Sequence, residues 1–106
     1  MPTNTPVKFF RGAATTTTTT VLYTVPASTI SIVTNIVVTN TSGSAQTFTL
    51  GMGTAGANTA FATTTAIAAN AVATFDIKQV LNATETITGG ASATSVNFAI
   101  SGMTQV

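Results

Sequence analysis

The stretch "ISIVTNIVVTN" (Ile30–Asn40) decides how this chain folds. Its apolar residues recur with a period near two. Ile30, Ile32, Ile36 and Val38 fall on one face, and Ser31, Val33, Asn35, Val37 and Thr39 on the other. Successive side chains of an extended strand point to opposite sides, so this alternation predicts a half-buried strand, or two joined by a bend near Asn35. Downstream, "NTSGSAQ" (Asn40–Gln46) is a turn cluster whose Asn40 and Gly43 are suited to positive φ. "TFTLGM" (Thr47–Met52) resumes the alternation with Phe48, Leu50 and Met52 inward, and "SVNFAIS" (Ser95–Ser101) repeats it with Val96, Phe98 and Ile100.

Shorter strands account for the rest. "VKFFR" (Val7–Arg11) lies in an N-terminal arm between Pro6 and Gly12, and "VLYTV" (Val21–Val25) is closed by Pro26, which has no N–H for a ladder. "TTTAI" (Thr63–Ile67) and "VATFDI" (Val72–Ile77) flank a turn at Ala69–Ala71. "ETIT" (Glu85–Thr88) stops at Gly89–Gly90, "KQVLNA" (Lys78–Ala83) has room for one helical turn, and "GMGTAGANTAF" (Gly51–Phe61) reads as a loop. Short segments with turn signals every eight to twelve residues and no helical period describe an all-β protein. The expected fold is an antiparallel β-sandwich of about eight strands, either a jelly roll or an immunoglobulin-like Greek key. Its expected organisation is an N-terminal arm and Thr-rich connection over 1–20 and a sandwich domain over 21–106.

Composition bounds the function. The chain has 106 residues and only five charges, Lys8, Arg11, Asp76, Lys78 and Glu85. An average domain is about one-quarter charged; here roughly a quarter is threonine instead. A net charge of +1 from three scattered cations supplies no phosphate-binding cluster, so no nucleic-acid partner is expected. The first twelve residues lack the apolar segment of a secretory signal, and no run approaches the ~18 apolar residues of a membrane span. A soluble product made in the cytoplasm, with no membrane partner, is the expectation.

The ingredients of catalysis are scarce. There is no histidine to carry protons and no cysteine, which leaves zinc without its usual ligands. A nucleophilic hydroxyl needs a neighbouring base, and the candidates are Asp76, Lys78 and Glu85. Asp76 and Lys78 stand two apart and share a strand face, which reads as a solvated pair. Asp76 and Glu85 are too few for a calcium cage and lack the tryptophan of a sugar platform. "GMGTAG" has no P-loop lysine. The sequons at Asn40 and Asn82 read as turn residues. No enzymatic activity and no cofactor or metal are expected.

Two features point to assembly. In "KFFR" the two rings of Phe9 and Phe10 would point to opposite faces of a regular strand, so one is expected in the core and the other, with Arg11, at an interface or partly exposed. The run "TTTTTT" (Thr15–Thr20) would show hydroxyls on both faces, and reads either as a paired outer strand or as a linker. Candidate interface residues are Phe9, Phe10, Arg11, Thr15, Thr17 and Thr19.

The segment "VLYTVPASTISIVTNIVVTNTSGSAQTFTLGMG" (Val21–Gly53), with "VLNATETITGGASATSVNFAISG" (Val80–Gly102), resembles small β-sandwich virion proteins of tailed bacteriophages, of the head-decoration or minor-tail type. The shared features are an apolar-Tyr-x-Val-Pro strand end, an Ile/Val strand closing on Asn-Thr-Ser, a Thr-alternating strand and a last alternating strand after a Gly/Ser turn. The resemblance implies a symmetric homo-oligomer, a trimer foremost, that binds the major capsid protein on the outer surface of the head and cements it. A tail or fibre-associated subunit contacting a tail protein is the structural alternative, and a carbohydrate-binding adhesion module the alternative of another class. It carries no site residues across.

Overall fold

In the computed structural model, which describes residues 4–54 and 57–106, the strong alternations form strands where the sequence places them. There are eight: β1 (Asn4–Ala13), β2 (Val21–Thr24), β3 (Ile30–Asn40), β4 (Gln46–Thr54), β5 (Ala57–Ile67), β6 (Val72–Leu81), β7 (Thr86–Ala91) and β8 (Val96–Gln105). They make two four-stranded antiparallel sheets, ordered β1-β8-β3-β6 and β2-β7-β4-β5. Apart from the β4–β5 hairpin, every connection crosses from one sheet to the other. That order is the jelly roll, and it separates this chain from the immunoglobulin-like alternative.

The core lies between the sheets. Val33, Ile36 and Val38 of β3 and Val96, Phe98 and Ile100 of β8 meet Phe48, Leu50 and Met52 of β4 and Ile87 of β7, all buried. Phe48 stands edge-on to Phe98 (ring centroids 6.3 Å apart) and to Phe75 of β6 (6.2 Å), so one ring of the second sheet is clasped by two of the first. Edge-to-face pairs contribute about 0.5–1.5 kcal/mol each beyond their buried area.

Several sequence expectations are corrected. Ile30 is exposed and Ile32 half-buried, while Ser31 and Val33 face the core. The cause is a β-bulge. The ladder shifts register between Val33 and Asn35 toward both neighbours, and one extra residue inverts the inward phase, so that Ile36 and Val38 point in as expected and the first half does not. Gly51–Thr54 and Ala57–Phe61 are strand, not loop, because β4 and β5 pair right up to Thr54↔Ala57; Ala55 and Gly56 lie outside the described residues, as do Pro2 and Thr3 of the arm. Lys78–Leu81 extend β6 and form no helical turn. Gly89 and Gly90 are inside β7, where they are needed: a Cβ on Gly90 would lie 2.3 Å from the Thr17 carbonyl oxygen, and one on Gly89 2.7 Å from that of Thr49.

The turns divide in the same way. Asn70 takes the positive φ (54°) of the turn between β5 and β6, and the Ala71 N–H closes it on the Ala68 carbonyl. Asn40 and Gly43, by contrast, have no positive φ. Asn40 is fully buried and acts as a polar hub: its Nδ2 donates to the carbonyls of Ser44, Ile67 and Ala68, and its Oδ1 accepts from Ser42 N and Oγ. A buried amide satisfied on both ends ties the β3–β4 turn to the β5–β6 turn, and Asn40 itself is the last residue of β3 and not a turn residue.

Among the described residues, a close backbone crossing lies at Gly102 of β8. A Cβ there would lie 1.9 Å from the Ile32 carbonyl oxygen and 2.9 Å from the Phe9 ring. Backbone on a central strand cannot step aside as a flexible side chain can. Gly102→Ala is therefore expected to destabilise the fold by about 3 kcal/mol or more, lowering the melting temperature by at least about 10 °C by circular dichroism. Ser101→Ala next to it, on a half-exposed position, should leave the melt within about 3 °C.

Candidate assembly surface

The five charges are distributed unevenly. Lys8 and Arg11 are exposed on β1 and Asp76 and Lys78 on β6, the two edges of one sheet. Asp76 Oδ1 accepts a hydrogen bond of 3.2 Å from Asn35 Nδ2 on the neighbouring strand. Glu85 sits in the turn after β6, where its Oε1 accepts from Asn82 N at 2.6 Å. No strand of the other sheet, β2-β7-β4-β5, contains a charged residue. One sheet is thus bordered by ions, and the strands of the other carry none, being rich in Thr, Ala and Gly with Phe48, Leu50, Met52 and Ile87 turned inward.

The two rings of "KFFR" are placed together, contrary to the expectation for a regular strand. Lys8 pairs with Ser101 and Phe10 with Ile100, leaving Phe9 as the extra residue of a bulge. Two consecutive side chains can then turn to the same side. Phe9 is 6% exposed, inside the core, with its ring centroid 4.6 Å from that of Tyr23 on β2; Phe10 packs half-buried against the same core. Tyr23 in turn shares a 3.3 Å hydroxyl contact with Ser31 of β3. Phe9 therefore closes the gap between the two sheets at the β1–β2 edge, and Arg11 is left exposed beside it.

The threonine run is neither a strand nor a loose tether. Ala91 N donates to the Thr15 carbonyl at 2.9 Å and Gly89 N to that of Thr20 at 3.0 Å, so both ends are fastened to β7. Between them the chain arches over Gly90. Thr15 Oγ1 and Thr20 Oγ1 lie 2.7 Å apart, one donating to the other, and both are within hydrogen-bond distance of the Thr17 carbonyl (3.0 and 2.9 Å). Here the hydroxyls supply the polar partners that a ladder would otherwise provide. Thr15, Thr17 and Thr19 are all exposed on this arch.

Sequence reasoning missed the apolar exposure elsewhere. Val72 and Val80 of β6 are 60% and 59% exposed, and Val21 is 52% exposed. Strand parity carried past Ile77 would have found Val80, had the segment not been assigned to a helical turn. A shallow depression of about 310 Å³ lies among Met52, Gly53, Thr59, Gln79, Val80, Leu81 and Glu85. It brings one carboxylate and no second ionisable group, and that carboxylate is already engaged in its turn.

Solved structures share this arrangement of strands. The whole chain superposes on part of a subunit in the structure of infectious bursal disease virus Gx strain, with a TM-score of 0.62 at 13% identity, covering 33% of that chain. The T13 viral particle of the same virus matches over 99% of this chain and 31% of the other (TM-score 0.58, 10% identity), and its VP2 subviral particle over 99% and 32% (TM-score 0.57, 12% identity). The fold is one found in viral particles. This chain spans about a third of the length of those subunits. No protein-family model matches it, and no curated protein does.

Because Phe9 joins the sheets while Phe10 lies at their margin, Phe9→Ala is expected to cost about 3–5 kcal/mol, lowering the urea midpoint at unchanged slope. Phe10→Ala should cost less than half as much. Equal losses would mean that the bulge does not divide the two rings between core and rim.

Proposed function

We propose that this chain is a structural subunit of a virus particle, a head-decoration protein of the tailed-bacteriophage kind that binds the outer capsid surface as a symmetric oligomer. The observation that carries the reading is the jelly roll itself, alike from end to end to a portion of a viral-particle subunit. Two others support it. Val21–Gly53 and Val80–Gly102 resemble small phage virion proteins, and the chain's ionisable side chains are few and scattered. A neutral, hydroxyl-covered sheet also suits burial against a protein shell, since it brings no charge that must be desolvated.

In this reading the partner is the major capsid protein, with a homotrimer as the favoured oligomer. The contact surface takes in residues 1–20: Arg11 and the exposed Thr15, Thr17 and Thr19 of the arch, with Phe10 at its margin. Phe9 holds that surface in place from inside the core. The arch would present an already ordered set of hydroxyls and carbonyls, which lowers the entropy lost on docking.

Cryo-electron microscopy of the source particle tests the reading. The expected result is regular jelly-roll density on the outside of the head, and heads lacking the protein that lose their genome at lower temperature than complete ones. Density around the tail would replace the capsid assignment with that of a tail subunit, and heads equally heat-resistant without the protein would remove the cementing role.

A further inference from the structure

We propose that β6 is a self-pairing edge, through which two copies of this chain join across a two-fold axis at Ile77 into one continuous eight-stranded sheet. The inference rests on the edge geometry alone and stands against the homotrimer favoured above, because an isologous two-fold contact joins two copies.

β6 pairs with β3 on one side and borders the sheet on the other. Its ten residues, "VATFDIKQVL", contain no proline or glycine, and its β-branched and aromatic content favours a ladder. An edge of this length presents a row of backbone donors and acceptors to any extended partner. From Val72 to Lys78 its side chains alternate: Val72, Thr74, Asp76 and Lys78 are exposed, whereas Ala73, Phe75 and Ile77 pack incompletely against the core; beyond them Gln79 and Val80 are both exposed, and the ladder to β3 shifts register between Asp76 and Gln79.

Charge selects both the partner and the register. In an antiparallel pair centred on Ile77, Asp76 faces the partner's Lys78 and Lys78 faces the partner's Asp76. Each exposed Val80 then meets the partner's Thr74. On the core side Ile77 meets the partner's Ile77, and Phe75 is covered by the partner's Gln79, which closes the half-open flank of the sandwich. Sliding the partner by two residues in either direction brings Asp76 opposite Asp76 or Lys78 opposite Lys78, both repulsive. Sliding by one places exposed side chains against core-facing ones. A single lysine on an edge is a usual guard against pairing, but a lysine with an aspartate two residues away is satisfied in one register and penalised in the rest. The contact is isologous, as a two-fold requires, and a net charge of +1 per chain offers little opposition.

The other edges lack this property. β1 carries Lys8 and Arg11 with no acid, so a second copy would be repelled there. β5 is uncharged and favours no register. β2 has four residues. Because β1 lies at the opposite border of the sheet, a contact through β6 leaves the residue 1–20 surface free.

Sedimentation analysis of the purified chain, with no particle present, separates this inference from the virion reading. Wild type is expected at twice its 10.6 kDa mass in the upper part of a concentration series. Asp76→Lys and Lys78→Asp should each weaken the dimer about tenfold or more, because two attractive cross-strand pairs become repulsive. An equimolar mixture of the two variants should recover the dimer, since every Lys then faces an Asp. A monomeric wild type, variants that associate as wild type does, or a mixture that stays monomeric would each overturn the proposal. If either variant fails to show the wild-type circular dichroism, Ile77→Cys in this cysteine-free chain replaces it. Oxidation should give a disulfide-linked dimer, and its absence refutes the two-fold at Ile77.

Discussion

The crowding around Gly102 is the constraint on which the rest of the molecule depends. At that level of β8 the carbonyl of Ile32 and the ring of Phe9 both approach so closely that no side chain fits between them. The two strands flanking β8 lose register at the same height, β1 between Lys8 and Phe10 and β3 between Val33 and Asn35. A bulge adds local twist, and two of them on either side of one strand wrap the sheet around its neighbour. The same irregularities turn both Phe9 and Phe10 inward, and they exchange Ile32 for Val33 at the core.

What the surface presents follows from that arrangement. With the rings committed to the interior, β1 shows Lys8 and Arg11, β6 shows Asp76 and Lys78, and the second sheet shows no ion. The fastened threonine arch completes the neutral side. The hydroxyls of Thr15 and Thr20 converge on the Thr17 carbonyl, and β7 N–H groups hold the Thr15 and Thr20 carbonyls, so a segment with little apolar area to bury is still held in one shape. Jelly rolls serve viral shells, lectins and enzymes alike. On this one the exposed side chains offer hydroxyls and two charged edges.

Strands whose alternation runs unbroken were legible without the structure. Phe48, Leu50 and Met52, and Val96, Phe98 and Ile100, are buried as their spacing demands, because a period of two maps onto two faces wherever the ladder is regular. The role of Phe9 was not legible, since a bulge is a relation between two strands and leaves no mark in either. Gly89 and Gly90 read as a stop for the same reason: locally a glycine pair weakens a strand, and only the nearby Thr49 and Thr17 carbonyls show why nothing larger fits.

By itself, then, the order of residues determined the class of fold, the approximate strands and the near absence of reactive groups, all of which depend on local periodicity and on which atoms are present. Tertiary structure decided the jelly-roll order over the immunoglobulin-like one, the inward phase of each bulged strand, the burial of Asn40 as a polar hub, and the borders at which charge collects. Those depend on which strands become neighbours across long stretches of chain, and backbone-to-backbone pairing, common to every residue but proline, does not announce its partners in the side chains.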